Sequence, residues 1–220
     1  TANAPPLATN GSDVLPVRFP GNGSAPSGDG SSLDCAGFSV HRDEEGWSIF
    51  YVARNAQGEA ELRCKYRGSS NWSSDAVVGA VDSFQLLYGV DLDGDGAPER
   101  YLNASAVSEL DAGLALAGAT AAEREADLRK RTHWKKVSIV HVALLLHGPV
   151  SKLESTRNVV HDLFGPDYGA AQGADDAGTR LSEAVLAAGG VRGRPRDGNS
   201  GEARYRKVFS TTVALPARAR

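Results

Sequence analysis

The chain has 220 residues, 41% of them apolar, which is enough to bury one sizeable core and too many for a disordered or fibrous chain. Its 24 basic and 27 acidic residues leave a formal charge of −3 spread over most of the sequence, excluding a global electrostatic drive toward nucleic acid or anionic lipid. No apolar run approaches the roughly 20 residues of a membrane span, the longest being Val142-Ala143-Leu144-Leu145-Leu146. The sequence contains no methionine and opens on Thr1-Ala2-Asn3-Ala4-Pro5, so it reads as a mature or truncated chain whose targeting segment has been removed.

In chain order, the first element is the short apolar run Asp13 to Phe19, which Pro16 confines to a strand edge or strand start. Residues 20–32 are almost entirely Gly, Ser and Pro and read as a flexible loop. Trp47, Ile49, Tyr51 and Ala53 then alternate with Ser48, Phe50 and Val52. Turn chemistry follows at Asn55-Ala56-Gln57-Gly58, before Ala60, Leu62, Cys64 and Tyr66 alternate with Glu61, Arg63 and Lys65. This predicts a hairpin with one buried face and Cys64 pointing inward, within reach of the loop that carries Cys35. A third strand, through Phe84, Leu86, Tyr88 and Val90, runs directly into Asp91-Leu92-Asp93-Gly94-Asp95-Gly96.

Thr120-Ala121-Ala122-Glu123 is a capping-box pattern that opens a solvated helix, with Glu125/Arg129 and Asp127/Arg131 spaced for i,i+4 pairs. Val137 to His147 is apolar on nearly both faces, as a central strand is. A second helix is expected over Thr179 to Ala188, stopped by Gly189-Gly190. A last strand runs from Val208 to Leu215 and is ended by Pro216. The fold class is therefore α+β, mainly β, with peripheral helices. From Val191 onward eight Arg or Lys (Arg192, Arg194, Arg196, Arg204, Arg206, Lys207, Arg218 and Arg220) read as a solvated face, since no aromatic platform is interleaved to make a nucleic-acid surface.

The sharpest motif is Asp91 to Glu99. Carboxylates at positions 1, 3 and 5 with Gly at 6 match the first half of an EF-hand-type calcium loop, with Ala97 offering its carbonyl at 7 and Glu99 a carboxylate at 9. Position 12 is Leu102 and not an acid, so a complete site would need another ligand, for which Asn103 is the neighbour. Like charges this close repel by roughly 3 kcal/mol per pair at about 6 Å and an effective dielectric near 20. Either a cation or splaying into water relieves that repulsion, so the loop reads as a Ca2+ site (Asp91, Asp93, Asp95, Glu99) or as an acidic turn between strands.

The two cysteines, Cys35 and Cys64, have neither metal-ligand nor redox-motif spacing. They are a disulfide in an exported chain or two unrelated thiols in a cytosolic one. The histidines (His41, His133, His141, His147, His161) lack metal-site partners, and His141 and His147, six residues apart, would stand about 20 Å apart on a strand. They read as polar packing. Hydrolase elbows, phosphate-cradling loops and helical His/Glu metal motifs are absent from the sequence, so the chain is read as non-catalytic.

Several segments, taken in order, resemble the PilW group of type IV pilus minor pilins. They are Gly11 to Arg18, Asp34-Cys35-Ala36-Gly37 with Glu61-Leu62-Arg63-Cys64, the long block Asp82 to Asn103, Trp134 leading into Val137 to Leu146, and Phe209 to Leu215. Two departures stand out: Pro216 follows the last strand where the family continues with Arg-Asn, and residues 165–203 look longer than usual, as an insertion would.

The resemblance implies one pilin-like head over residues 1–220, with 1–12 a remnant after a long N-terminal helix that is missing from this sequence. It implies a Cys35–Cys64 disulfide made in the periplasm, and an inner-membrane anchor through the missing helix, with the head in the periplasm before assembly and at the pilus tip afterwards. The partners implied are other minor pilins and a large tip adhesin, in pilus biogenesis, twitching motility and adhesion, with no specific nucleic acid. Rival readings are a type II secretion pseudopilin, a free-standing calcium-dependent adhesin module, and a secreted enzyme with a site assembled from distant residues.

Overall fold

The computed structural model describes residues 9–68, 71–151, 159–187 and 203–215. The fold is mainly β with antiparallel sheets and a few short helices, as the alternation patterns predict. Spatial contacts divide it into two compact units. One is the chain up to Phe84 together with Leu144–Phe209, the other Gln85–Ala143 together with the chain from Ser210.

The first unit holds the sheet β1-β2-β3-β4, formed by Leu15–Pro20, Glu45–Arg54, Ala60–Arg67 and Trp72–Gly79. β1 is the edge strand that Pro16 calls for, pairing antiparallel with β2. The β2–β3 turn is held by Asn55, whose Oδ1 accepts the N–H groups of Gln57 and Glu59, both at 3.0 Å. Gly58 closes it at φ +79°.

Register places Ser48, Phe50 and Val52 opposite Tyr66, Cys64 and Leu62, so the face shared with Cys64 is that series and not Trp47, Ile49, Tyr51 and Ala53. Cys64 does point inward, at 1% exposure, and is disulfide-bonded to Cys35 across a Cα separation of 6.3 Å. β4, which has few apolar residues and lies at the sheet edge, carries no alternation by which sequence could reveal it.

The Gly/Ser/Pro segment 20–32 is a loop, but a tethered one. Gly21 N–H donates to Glu44 O, Asn22 N–H to Val40 O, and the Arg42 guanidinium to Gly23 O and Ser24 Oγ. Thr9–Gly11 forms a single 3-10 turn. Asn10 and Ser12 are buried and bond to the next sheet, through Asp82 O at 2.7 Å and the Phe84 N–H at 3.2 Å respectively.

The second four-stranded sheet has the order β10-β7-β5-β6, from Ala203–Ala214, Val137–Ser151, Val81–Val90 and Arg100–Leu102. All ten residues of β5 are buried, which fits its inner position. β7 runs antiparallel to β5, since the His147 N–H donates to Ala80 O and the Asp91 N–H to Lys136 O.

In the second unit, α1 (Ala104–Ala112) is capped by Asn103, whose Oδ1 accepts the Ala106 N–H at 2.8 Å, and it buries Val107. α2 (Ala121–Arg131) carries both halves of the predicted capping box, Thr120 to the Glu123 N–H and Glu123 to the Thr120 N–H. In the first unit, β8 (Val160–Asp162) and β9 (Arg180–Ser182) form a two-stranded sheet around α3 (Pro166–Gln172).

This corrects the expected helix over Thr179 to Ala188: its start is strand β9, and α4 spans only Glu183–Ala187. The Leu181, Val185, Leu186 spacing suits a helix. Leu181, however, is opposite His161 in the ladder at 1% exposure, and Ser182 Oγ accepts the Val185 N–H as a helix cap does. Residues 188–202, the rest of the expected insertion, lie outside the described residues.

Candidate functional site

The acidic motif is the loop of the β5–β6 hairpin, whose register pairs Val90 with Arg100, Gly89 with Tyr101 and Tyr88 with Leu102. Each carboxylate caps the loop's own backbone. Asp91 accepts the Gly94 and Gly96 N–H groups, Asp93 the Asp95 N–H, Asp95 the Ala97 N–H, and Glu99 the Leu92 N–H. Gly94 and Gly96 hold φ +85° and +95°, which the turn requires and L side chains rarely adopt.

The result brings one oxygen from each of Asp91, Asp93, Asp95 and Glu99 to within 4.8 Å of one another. Two ligands on a shell of 2.3–2.6 Å radius stand at most about 5 Å apart, so this spacing is compatible with a single hard cation. Asn103, expected as a further ligand, is instead committed to capping α1, and Leu102 is a ladder residue. The Lys136 ammonium donates to Leu92 O at 3.1 Å, placing one positive charge at the loop's base.

A second constellation, in the first unit, was not legible as a group. Asp82 on β5, His147 on β7 and Arg206 on β10 meet on one sheet face. The His147 Nδ1 lies 3.1 Å from Asp82 Oδ1 and its Nε2 3.3 Å from Glu59 Oε2. Arg206 donates to Asp82 at 2.7 Å through Nε and to Glu183 through a second nitrogen, while His161 Nε2 stands 2.8 Å from the other Glu183 oxygen. Arg204 grips Glu59 with two nitrogens, at 2.9 and 3.0 Å.

The Arg206 and His147 side chains are each only 6% exposed. Burial by itself would push the Asp82 carboxyl up, but the adjacent His147 ring and the Arg206 guanidinium outweigh it and hold the group below its ordinary value. Arg204 and Arg206 thus correct the expectation of a solvated basic face. Arg192, Arg194, Arg196, Arg218 and Arg220 lie outside the described residues. His133, in the second unit, is likewise packed against a carboxylate, Asp111, at 2.8 Å.

Residues 49–217 match the sequence model of the family described as Type IV Pilus-assembly protein W. The chain belongs to the PilW family. The match takes in most of the β2–β3 hairpin, the acidic loop and all three strands of the charge cluster, and it gives the PilW-family chain a role in type IV pilus assembly, at a pilus-associated place in the cell envelope. No curated protein and no solved structure matches the chain. Among the described residues no helix is long and apolar enough to cross a membrane.

Proposed function

We propose that this PilW-family chain is a minor pilin, a non-catalytic structural and interaction subunit that primes or caps type IV pilus assembly with other minor pilins and a large tip adhesin. The family match over residues 49–217 carries this reading. The antiparallel β fold and the Cys35–Cys64 disulfide, a bond that persists in oxidising compartments, support a pilin-like head exposed to the periplasm before assembly and at the pilus tip after it. An N-terminal helix in the inner membrane completes the reading. The loop carboxylates Asp91, Asp93, Asp95 and Glu99 hold a calcium ion that stiffens the β5–β6 hairpin. Their convergence within 4.8 Å supports this, and weak sites of about 10⁻⁴–10⁻³ M suit an extracellular space.

The deciding experiment mixes this domain with the soluble domains of the other minor pilins of the same cell and measures the mass of the product by size exclusion with light scattering. A stoichiometric complex is expected, together with loss of pili when the gene is deleted. Failure to join any of them, with piliation intact after deletion, overturns the assembly role.

A further inference from the structure

A cleft of about 540 Å³ opens beside the β2–β3 hairpin, entirely within the first unit. One wall is the segment from Asp34 to His41, and the other is the start of β2 and the end of β3. Asp34 lines it while only 8% exposed. The Asp34 Oδ1 accepts the N–H groups of Ala36 at 2.9 Å and Phe38 at 3.0 Å, which closes the turn after the first cysteine. The other oxygen, Oδ2, has no hydrogen-bond partner among the described residues.

The neighbouring hydroxyl does not serve, because Tyr66 donates to Asp75 at 2.7 Å. Of the charged lining, Glu45 is paired with Arg18, which leaves Asp34 and Glu44 against Arg67 and the cleft with an excess of negative charge. Its aromatic wall is Phe38, 59% exposed, with its ring 5.7 Å from that of Tyr66. A carboxylate oxygen without a protein partner, negative surroundings and an open aromatic face together suit a cation, and a planar guanidinium better than a compact ammonium, since it is less strongly hydrated and lies flat on rings. The chain makes the same pairing alongside: Arg18 lies 5.7 Å over the Trp47 ring and pairs with Glu45.

We propose that this cleft receives an arginine side chain presented by a partner protein, its guanidinium donating to Asp34 Oδ2 and lying against Phe38. That the arginine belongs to a protein rests on the reading of the chain as an interaction subunit of the pilus machinery.

The probe is Nα-acetyl-arginine amide, titrated into ¹⁵N-labelled protein. The indole N–H of Trp47, which lines the cleft, and the amides of Ala36 and Phe38 should shift saturably, while the indoles of Trp72 and Trp134 stay in place. Nα-acetyl-citrulline amide has the same shape without the charge and should bind at least about tenfold more weakly. Asp34→Asn keeps the Oδ1 that holds the turn and replaces the free acceptor by a donor. It should weaken arginine binding by about tenfold or more with the remaining spectrum superimposable.

Absence of a saturable shift overturns the proposal. So does binding of the citrulline analogue, or of a neutral methyl glucoside, as tight as that of arginine. Should Asp34→Asn not fold, the citrulline comparison decides alone. None of these measurements needs another pilus protein, so their failure leaves the assembly reading standing. A cleft that binds arginine in a chain that joins no minor pilin and whose deletion leaves piliation intact sinks the assembly reading instead. If Asp34→Asn joins the pilins with unchanged affinity, the cleft is not a docking point.

Discussion

Arg206 shares a sheet face with His147 and Asp82, and its guanidinium bridges two buried carboxylates, those of Asp82 and Glu183. Replacing it by methionine keeps most of the volume but strands both acids, and breaking such a buried pair should cost roughly 3–5 kcal/mol in urea unfolding. A loss under about 1 kcal/mol would mean that the pair is solvated in solution. The same cluster sets an acid limit. The Asp82 carboxyl sits below its ordinary value when folded, so its contribution is fully present above about pH 4 and is lost as pH falls through the folded value. Asp82→Asn should therefore be less stable near neutrality and lose less stability between about pH 4 and pH 2; parallel stability curves for the two proteins would contradict this. None of these partners could be paired from sequence. Arg206 reads as one charge in a basic run, and His147 as one polar residue on an apolar strand, until β10 and β5 flank β7.

At the scale of elements, the β5–β6 hairpin and the disulfide loop allow separate tests. Calcium added to metal-free protein at about 10 mM should stabilise it by about 1–3 kcal/mol for a site of 10⁻⁴–10⁻³ M, raising the melting temperature by roughly 3–10 °C. Asp93→Ala should abolish that rise. No shift in the unmutated protein would mean that the loop's backbone N–H groups alone relieve the repulsion among Asp91, Asp93, Asp95 and Glu99. The Cys35–Cys64 bond closes a loop with a sequence separation of 29 and should contribute about 3–4 kcal/mol in the chain-entropy model. Unfolding with and without reductant measures it, and equal midpoints would show that the loop is held without it. Elements with strong local patterns, namely the β2–β3 hairpin, β5, β7 and α2, were legible because alternation or a capping box survives in the bare sequence. β4 and β8 were not. Their residues are exposed or few, and only pairing with β3 and β9 makes them strands.

For the whole molecule, the expected outcome is a stoichiometric complex with the other minor pilins, and light scattering of the mixture is the check. The chain by itself determined the α+β class, the order of its main strands, the inward side of Cys64, the acidic hairpin loop and the family resemblance. Each of these is written in contiguous residues, where period, turn chemistry and motif spacing act locally. Tertiary structure alone decided which charges are buried, that Arg180–Ser182 is extended, and that Asp34 keeps an unpartnered oxygen in a cleft. Those outcomes depend on contacts between residues far apart in the chain. Asp82 and Arg206 are 124 positions apart, and no local preference of either residue encodes the presence of the other.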